Sequence, residues 1–265
     1  MEIRPAQRPN QRRFRFFRSY SALILREMST SYGRSPGGYL WAVLEPLAGL
    51  TLMSMVFAML LRKPILGNNF MYFYASGVLT FQLYTQLSST LASSIRFSRP
   101  LLEYPAVSFM DAMLARLSLN AITHLLVMFL VIGGIVVAYA LSPMINWDAV
   151  FLALSMAMAL AIGVGTLNCY LISAYPLWER IWAVLNRPLF VISGVFFLPE
   201  QLPEPLRGYL MYNPLIHIIG EMRRGMFATY DPVDVDPVYV FSVSMVLTIF
   251  GLLFLLRYHK DLILK

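Results

Sequence analysis

Long apolar blocks separated by short polar joints set the pattern of this chain. Six blocks read as membrane spans: Gly38–Leu61, Phe70–Ile95, Leu117–Met144, Ala149–Trp178, Ile181–Leu198 and Val238–Leu256. A spanning helix needs roughly 20 predominantly apolar residues, and each block meets or nearly meets that. The second block carries no charge, and the fifth is interrupted by Arg187-Pro188. Ahead of the first block, Phe17, Tyr20, Ile24 and Met28 recur at helical spacing, with Arg15, Arg18 and Arg26 mostly on the other side. That pattern predicts a basic amphipathic helix over 14–32, lying in the headgroup plane or docked on the protein's own spans. Gly33, Pro36, Gly37 and Gly38 form a hinge between it and the first span. Between spans five and six, residues 199–236 hold six acids, several prolines and an apolar piece, Gly208–Gly220, too short to cross. It reads as one or two re-entrant helices broken at Asn213-Pro214, or as an ordered loop.

The predicted fold is therefore an all-α integral membrane protein. It has six transmembrane helices, an N-terminal amphipathic interfacial helix, and short re-entrant helices between spans five and six. Residues 1–13 read as a disordered basic tail, 38–256 as one six-span domain and 257–265 as a cytoplasmic tail.

Composition supports this. The chain is 58% hydrophobic and 13% charged, against about 25% charge in an ordinary soluble domain. The net charge of +7 does not call for a nucleic acid, because the basic residues flank spans. With the N-terminus inside, fifteen Lys and Arg residues fall in inside segments and five outside. The positive-inside bias then places both ends in the cytoplasm. No cleavable leader is expected, since the first apolar span begins only near Tyr39.

Catalytic signatures are absent. There is no G-x-x-x-x-G-K-[ST] loop, no H-E-x-x-H and no G-x-S-x-G. His124, His217 and His259 are dispersed, so no metal site is expected, and Cys169 reads as packing. His124 with Asn120 either faces a polar pathway or makes an interhelical hydrogen bond. Small residues in the fourth span (Ser155, Ala159, Gly163; Ala157, Ala161, Gly165) suit close helix packing.

Three places carry candidate function. Glu45-Pro46 puts a carboxylate and a helix-bending residue low in the first span, and Arg187-Pro188 does the same with opposite sign in the fifth. They could pair, or Arg187 could snorkel to headgroups. The segment Ser93–Arg116 mixes charge, aromatics and leucine around Pro100 and Pro105, which suits a short helix docking into a partner's groove, or a plain connector. Tyr72 and Tyr74 on span two and Trp178 and Trp182 beside span five are either belt or core rings, or stacking surfaces for a sugar chain.

The runs LILREMSTSYGRSPGGYLWAVLEPL (Leu23–Leu47), FSRPLLEYPAVSFMDAMLARL (Phe97–Leu117) and YNPLIHIIGEMRRGMF (Tyr212–Phe227) resemble, in order, the permeases of type-2 ABC exporters. The likeness is strongest to the capsule polysaccharide export branch of Gram-negative bacteria. The resemblance implies a homodimeric permease of the bacterial inner membrane working with two copies of a separate cytoplasmic P-loop ATPase. ATP and Mg would sit on that ATPase and no cofactor on this chain. It implies that Arg96, Arg99, Pro100, Leu102, Glu103, Tyr104 and Pro105 couple to the ATPase, with Arg26 and Glu27 at the membrane–ATPase junction. It places the conduit near spans one and five, where Glu45, Pro46, Tyr72, Tyr74, Trp178, Trp182 and Arg187 are candidates. The substrate it implies is a lipid-linked, acidic capsular polysaccharide, with periplasmic and outer-membrane export components as further partners. The same fold exporting O-antigen, teichoic acid or small molecules is the alternative, and a membrane-bound transferase is a third reading.

Overall fold

A computed structural model describes residues 15–31, 38–60, 63–102 and 108–264. Among these, the ordered elements are helices. They run α1 (Arg15–Ser31), α2 (Gly38–Leu60), α3 (Phe70–Ala92), α4 (Ser94–Leu102), α5 (Phe109–Ala138), α6 (Trp147–Ala174), α7 (Pro176–Ile192), a 3-10 turn (Pro199–Gln201), α8 (Leu206–Leu210), α9 (Pro214–Met226) and α10 (Pro237–Leu264).

Local signals set the boundaries, and several differ from those expected. The third span begins at Phe109 rather than Leu117. Ser108 and Asp111 form a reciprocal capping box there, satisfying two orphan amide donors before the apolar run starts. It ends at Ala138, followed by Ala140 at φ 49°. The fourth span stops at Ala174, not Trp178, because Pro176 opens α7. Pro188 lies inside α7 without ending it. The last span continues to Leu264, so most of the expected tail at 257–265 is helical. Asn213 caps α9 and Pro214 occupies its first turn, so the expected break at Asn213-Pro214 is where a helix starts.

Among the described residues, four helices are long and apolar enough to cross a membrane: Leu40–Leu60, Phe109–Ala138, Trp147–Ala174 and Pro237–His259. α7 is short at 17 residues. α3 has 23 residues, enough for about 34 Å of rise, but it is rich in Ser, Thr and Gln. Those hydroxyls are returned to the helix itself: Ser76 donates to the Phe73 carbonyl, Thr80 to Ser76 and Thr85 to Phe81. α3 is also the most enclosed of the long helices, packed by α6, α5, α2 and α9.

α6 is the second centre and packs on α10, α3 and α9. Its small residues work inside the protomer. A Cβ on Gly163 would stand 2.6 Å from the Ser244 carbonyl of α10, and one on Gly165 would meet Leu91 and Ser88 of α3. From the α10 side, Gly251 abuts the backbone of Thr166 and Leu167. α1 packs on α5. The bundle thus has two ends. One carries α1, α4, the start of α5 and the end of α10. The other carries residues 63–69, 139–146 and the 193–236 segment, where α9 is tucked in with eleven buried positions.

Candidate functional site

At the α1 end, three elements meet on one buried ion pair. Glu27 of α1 is 4% exposed, and its Oε1 accepts from the Arg116 Nε of α5 at 3.1 Å. Arg116 also donates to the Ser93 hydroxyl, at the α3–α4 joint, at 3.3 Å. Its guanidinium covers the Phe97 ring of α4 at 4.3 Å, with Arg26 over the same ring at 5.6 Å. A buried pair that loses one partner leaves an uncompensated charge at about 3–5 kcal/mol, so the node fixes where α1 sits. Sequence reasoning counted Arg116 only as a topology charge. The distance of 89 residues between it and Glu27 left no local signal of the pairing.

A second link joins α4 to α7. Arg96 makes a two-pronged bridge to Glu179, both N–O distances 2.8 Å. The hydrogen bonds from Arg96 hold the Glu179 carboxyl below its usual range, and those bonds in turn raise the Arg96 guanidinium. Both side chains are about half exposed, so the pair is worth about 1 kcal/mol or less. Beside it, Trp178 donates from Nε1 to the Asn168 Oδ1 at 2.9 Å and stacks near Trp182.

Of the other residues expected to couple, Arg99 is half-buried and Pro100 exposed on α4, and Leu102 closes that helix. Glu103, Tyr104 and Pro105 lie outside the described residues, as do Gly33, Pro36 and Gly37 of the hinge. Gly38 starts α2.

The candidate conduit residues separate into two groups. Glu45 and Arg187 are exposed on α2 and α7, and no ion pair joins them among the described residues. Pro46 is buried inside α2. Tyr72 and Tyr74 are core rings. The Tyr72 hydroxyl donates to the Met226 carbonyl and its ring meets Phe227 edge-on, while Tyr74 lies 4.8 Å from Phe57 and 6.3 Å from Phe196. Asn120 donates to its own helix at the Arg116 carbonyl, 2.8 Å away, rather than across to another helix.

At the far end, Arg223 of α9 is 1% exposed. Its Nη1 donates to the carbonyls of Gly194 (2.7 Å) and Phe197 (3.0 Å), and its Nη2 to that of Val195 (2.7 Å). The guanidinium lies 4.2 Å from the Phe73 ring centre. Sequence reasoning treated Arg223 as one of five outside charges and missed this cage. Nearby, Asp236 N–H donates to His217 Nδ1, so the other ring nitrogen carries the proton and donates to the Met211 carbonyl at 2.8 Å. His217 is a neutral structural clasp. No group of three or more metal-ligating side chains occurs among the described residues.

The arrangement is that of a membrane bundle with a charged, interlocked end. Comparison with known proteins agrees. The chain is 26% identical over 231 residues to the polysialic acid transport protein KpsM of Escherichia coli, covering 87% of this chain and 90% of that one. It is 28% identical over 250 residues to the capsule polysaccharide export inner-membrane protein CtrC of Neisseria meningitidis serogroup A, covering 92% of each. It is 25% identical over 255 residues to the capsule polysaccharide export inner-membrane protein BexB of Haemophilus influenzae, again covering 92% of each. Residues 18–227 match the family model described as ABC-2 type transporter. A match over that much of the chain places it: this protein belongs to the ABC-2 type transporter membrane family.

Proposed function

We propose that this chain is the transmembrane subunit of an ATP-driven exporter that moves a lipid-linked, acidic capsular polysaccharide across the bacterial inner membrane. The observation that carries the reading is near-full-length similarity to three proteins named for transport of polysialic acid or export of capsule polysaccharide. Six helices cross the bilayer: α2, α3, α5, α6, α7 and α10. α3 crosses although it is polar, because other helices surround it. α7 crosses with the 193–198 turn completing its length. Both termini are cytoplasmic, so the α1 end faces the cytoplasm, where α1 lies at the headgroups, and α8 and α9 dip into the outer leaflet.

The working unit is two copies of this chain and two copies of a separate P-loop ATPase, which binds the ATP and Mg. The ATPase contacts the Ser93–Arg116 segment. Its movement passes to α1 and α5 through Arg116, and to α7 through Arg96 and Glu179. The path for the polymer runs beside α2 and α7. Two measurements test the reading together. A P-loop ATPase should co-purify with the chain, and deleting the chain should abolish surface capsule. A chain that binds no ATPase and whose loss leaves capsule intact would end it. The polymer that accumulates inside deleted cells separates capsule from O-antigen or teichoic-acid cargo.

A further inference from the structure

One row of α3 changes character halfway along the helix. Ala75, Leu79, Gln82, Gln86 and Ser89 follow one another at steps of four and three, so they share a face. Ala75 and Leu79 are buried, Gln82 is half-buried, and Gln86 and Ser89 are exposed. Thr85 and Thr90 flank the row, both half-buried. At 1.5 Å per residue, Gln82 through Ser89 lie within about 12 Å of the midpoint of α3. With α3 crossing the bilayer as proposed above and centred in it, that is inside a hydrocarbon half-thickness of about 15 Å.

Lipid is a poor neighbour for that face. Thr85 and Ser89 return their hydroxyl protons to carbonyls of their own helix. The side-chain amides of Gln82 and Gln86 make no hydrogen bond among the described residues. Each amide left unmatched in hydrocarbon costs several kcal/mol. The exposed faces of α5 and α10 are different: Ile122, Leu126 and Phe129 on one, Val246, Ile249 and Phe250 on the other. Those faces suit acyl chains and the α3 face suits water.

The flanks of this face are polar too. Glu45 of α2 is exposed. On α7, Asn186 stands one turn before Phe190, which meets Phe81 of α3 at 5.0 Å. The Asn186 Oδ1 is buried without a partner, and Arg187 beside it is exposed. Towards the far end an aromatic cluster closes the row. Phe57 of α2 lies 4.8 Å from Tyr74 of α3 and 5.6 Å from Phe196 after α7, and Phe190 meets Phe196 at 5.1 Å.

We propose that Gln82, Gln86 and Ser89 form the wall of a water-filled half-channel that receives the hydroxyl- and carboxylate-bearing chain of the polysaccharide from the α1 end. The Phe57–Tyr74–Phe196 cluster is the seal that stops the path short of the other side. The inference rests on the export reading above. Amides and hydroxyls both donate and accept, so they can exchange partners with successive sugar units. No cation sits on the row itself to trap an acidic polymer.

Thiol labelling tests it in the full transporter with its ATPase. The background is Cys169→Ala, since Cys169 is the single cysteine and is buried. Inverted membrane vesicles, with the α1 end outward, are treated with a membrane-impermeant trimethylammonium methanethiosulfonate. Reaction needs a hydrated thiolate. The Gln82→Cys, Gln86→Cys and Ser89→Cys chains should therefore react at least about tenfold faster than Phe129→Cys and Phe250→Cys. Ala75→Cys and Leu79→Cys, buried in the packed stretch between Gln82 and the seal, should stay unreactive. Equal rates at Gln86, Ser89 and the two lipid-facing controls overturn the half-channel. The sugar contact has its own readout. The double variant Gln82→Leu/Gln86→Leu should lower surface capsule several-fold with membrane level and ATPase co-purification unchanged, and undiminished capsule overturns the polysaccharide as occupant. Deleting the chain tests the export reading separately, because intact capsule after deletion removes that reading whatever the labelling shows.

Discussion

Truncating Arg223 should loosen the whole far end of the bundle. Its guanidinium is buried and bonds three carbonyls of the 194–197 turn. A hydrogen bond to a charged donor contributes about 1.5–3 kcal/mol net, and each buried carbonyl left without a donor costs about 1–3 kcal/mol. The ring contact with Phe73 adds about 1–2 kcal/mol in a desolvated setting. Against these stands the cost of holding a cation away from water, which disappears with the side chain. The net loss for Arg223→Ala should be about 3–5 kcal/mol, the range for breaking a buried charged cluster. Arg223→Lys keeps the charge but not the fork. One ammonium cannot reach carbonyls on both sides, so it should fare no better. Gly77→Ala is the gentle version, since its new Cβ would stand 3.2 Å from both the Arg223 Nη2 and the Val195 Cα.

The assay is heating of the detergent-purified transporter, followed by the fraction that stays monodisperse. At a few degrees per kcal/mol the Ala and Lys variants should lose on the order of 10 °C, and Gly77→Ala distinctly less. An Arg223→Ala chain that melts with the wild type would refute the reasoning, because the three carbonyls would then have other partners.

Three further outcomes are expected. Glu27→Ala and Arg116→Ala should each lower the yield of assembled transporter more than the double variant does, and a double-mutant cycle on thermal stability should show coupling of about 1 kcal/mol or more; purely additive losses would mean the pair is idle. The Arg96–Glu179 bridge should weaken as pH falls through the depressed Glu179 titration, because its contribution exists only while the carboxylate is charged, and it should also weaken in high salt; an Arg96→Gln chain should lose both dependences when ATPase activity is followed against pH and salt. Gly163→Ala and Gly251→Ala should each cost about 1–3 kcal/mol by driving a Cβ into backbone 2.6 Å away, read as a lower melting midpoint of the purified transporter.

Most of the helical plan was legible because its signals are local. The apolar blocks and the interruption at Asn213-Pro214 each act within a few residues, whereas the Pro176 boundary was overrun by a span expected to reach Trp178. Legibility fails where one side chain reaches across the fold. Glu27 and Arg116, Arg96 and Glu179, and Arg223 with its turn are separated by 89, 83 and about 28 residues, and each looks like an ordinary flanking charge in the sequence. The aromatic residues were ambiguous for a related reason. Tyr72 and Tyr74 sit in a run of four rings at the start of α3, and only the packing of α9 and α2 makes them core rather than belt.

α3 shows why hydropathy alone misplaces the important helix. A span that faces lipid must be apolar on its outer side, so apolarity marks the periphery of a membrane bundle as strongly as its membership. A helix enclosed by its neighbours is released from that demand and can carry hydroxyls, provided they bond back to the helix, as Ser76 and Thr80 do. Its mean hydropathy then falls below that of the four described helices long and apolar enough to cross a membrane. Polar groups on such a helix sort by exposure. The enclosed ones are self-satisfied, and those that reach the surface at mid-membrane depth need a wet neighbour. On the proposed reading in which α3 crosses the bilayer, Gln82 and Gln86 are of the second kind. On this view the lapse in hydropathy at α3 is a property of the transport path, and replacing those two amides with leucine should make α3 read as a better span while making the protein a poorer exporter.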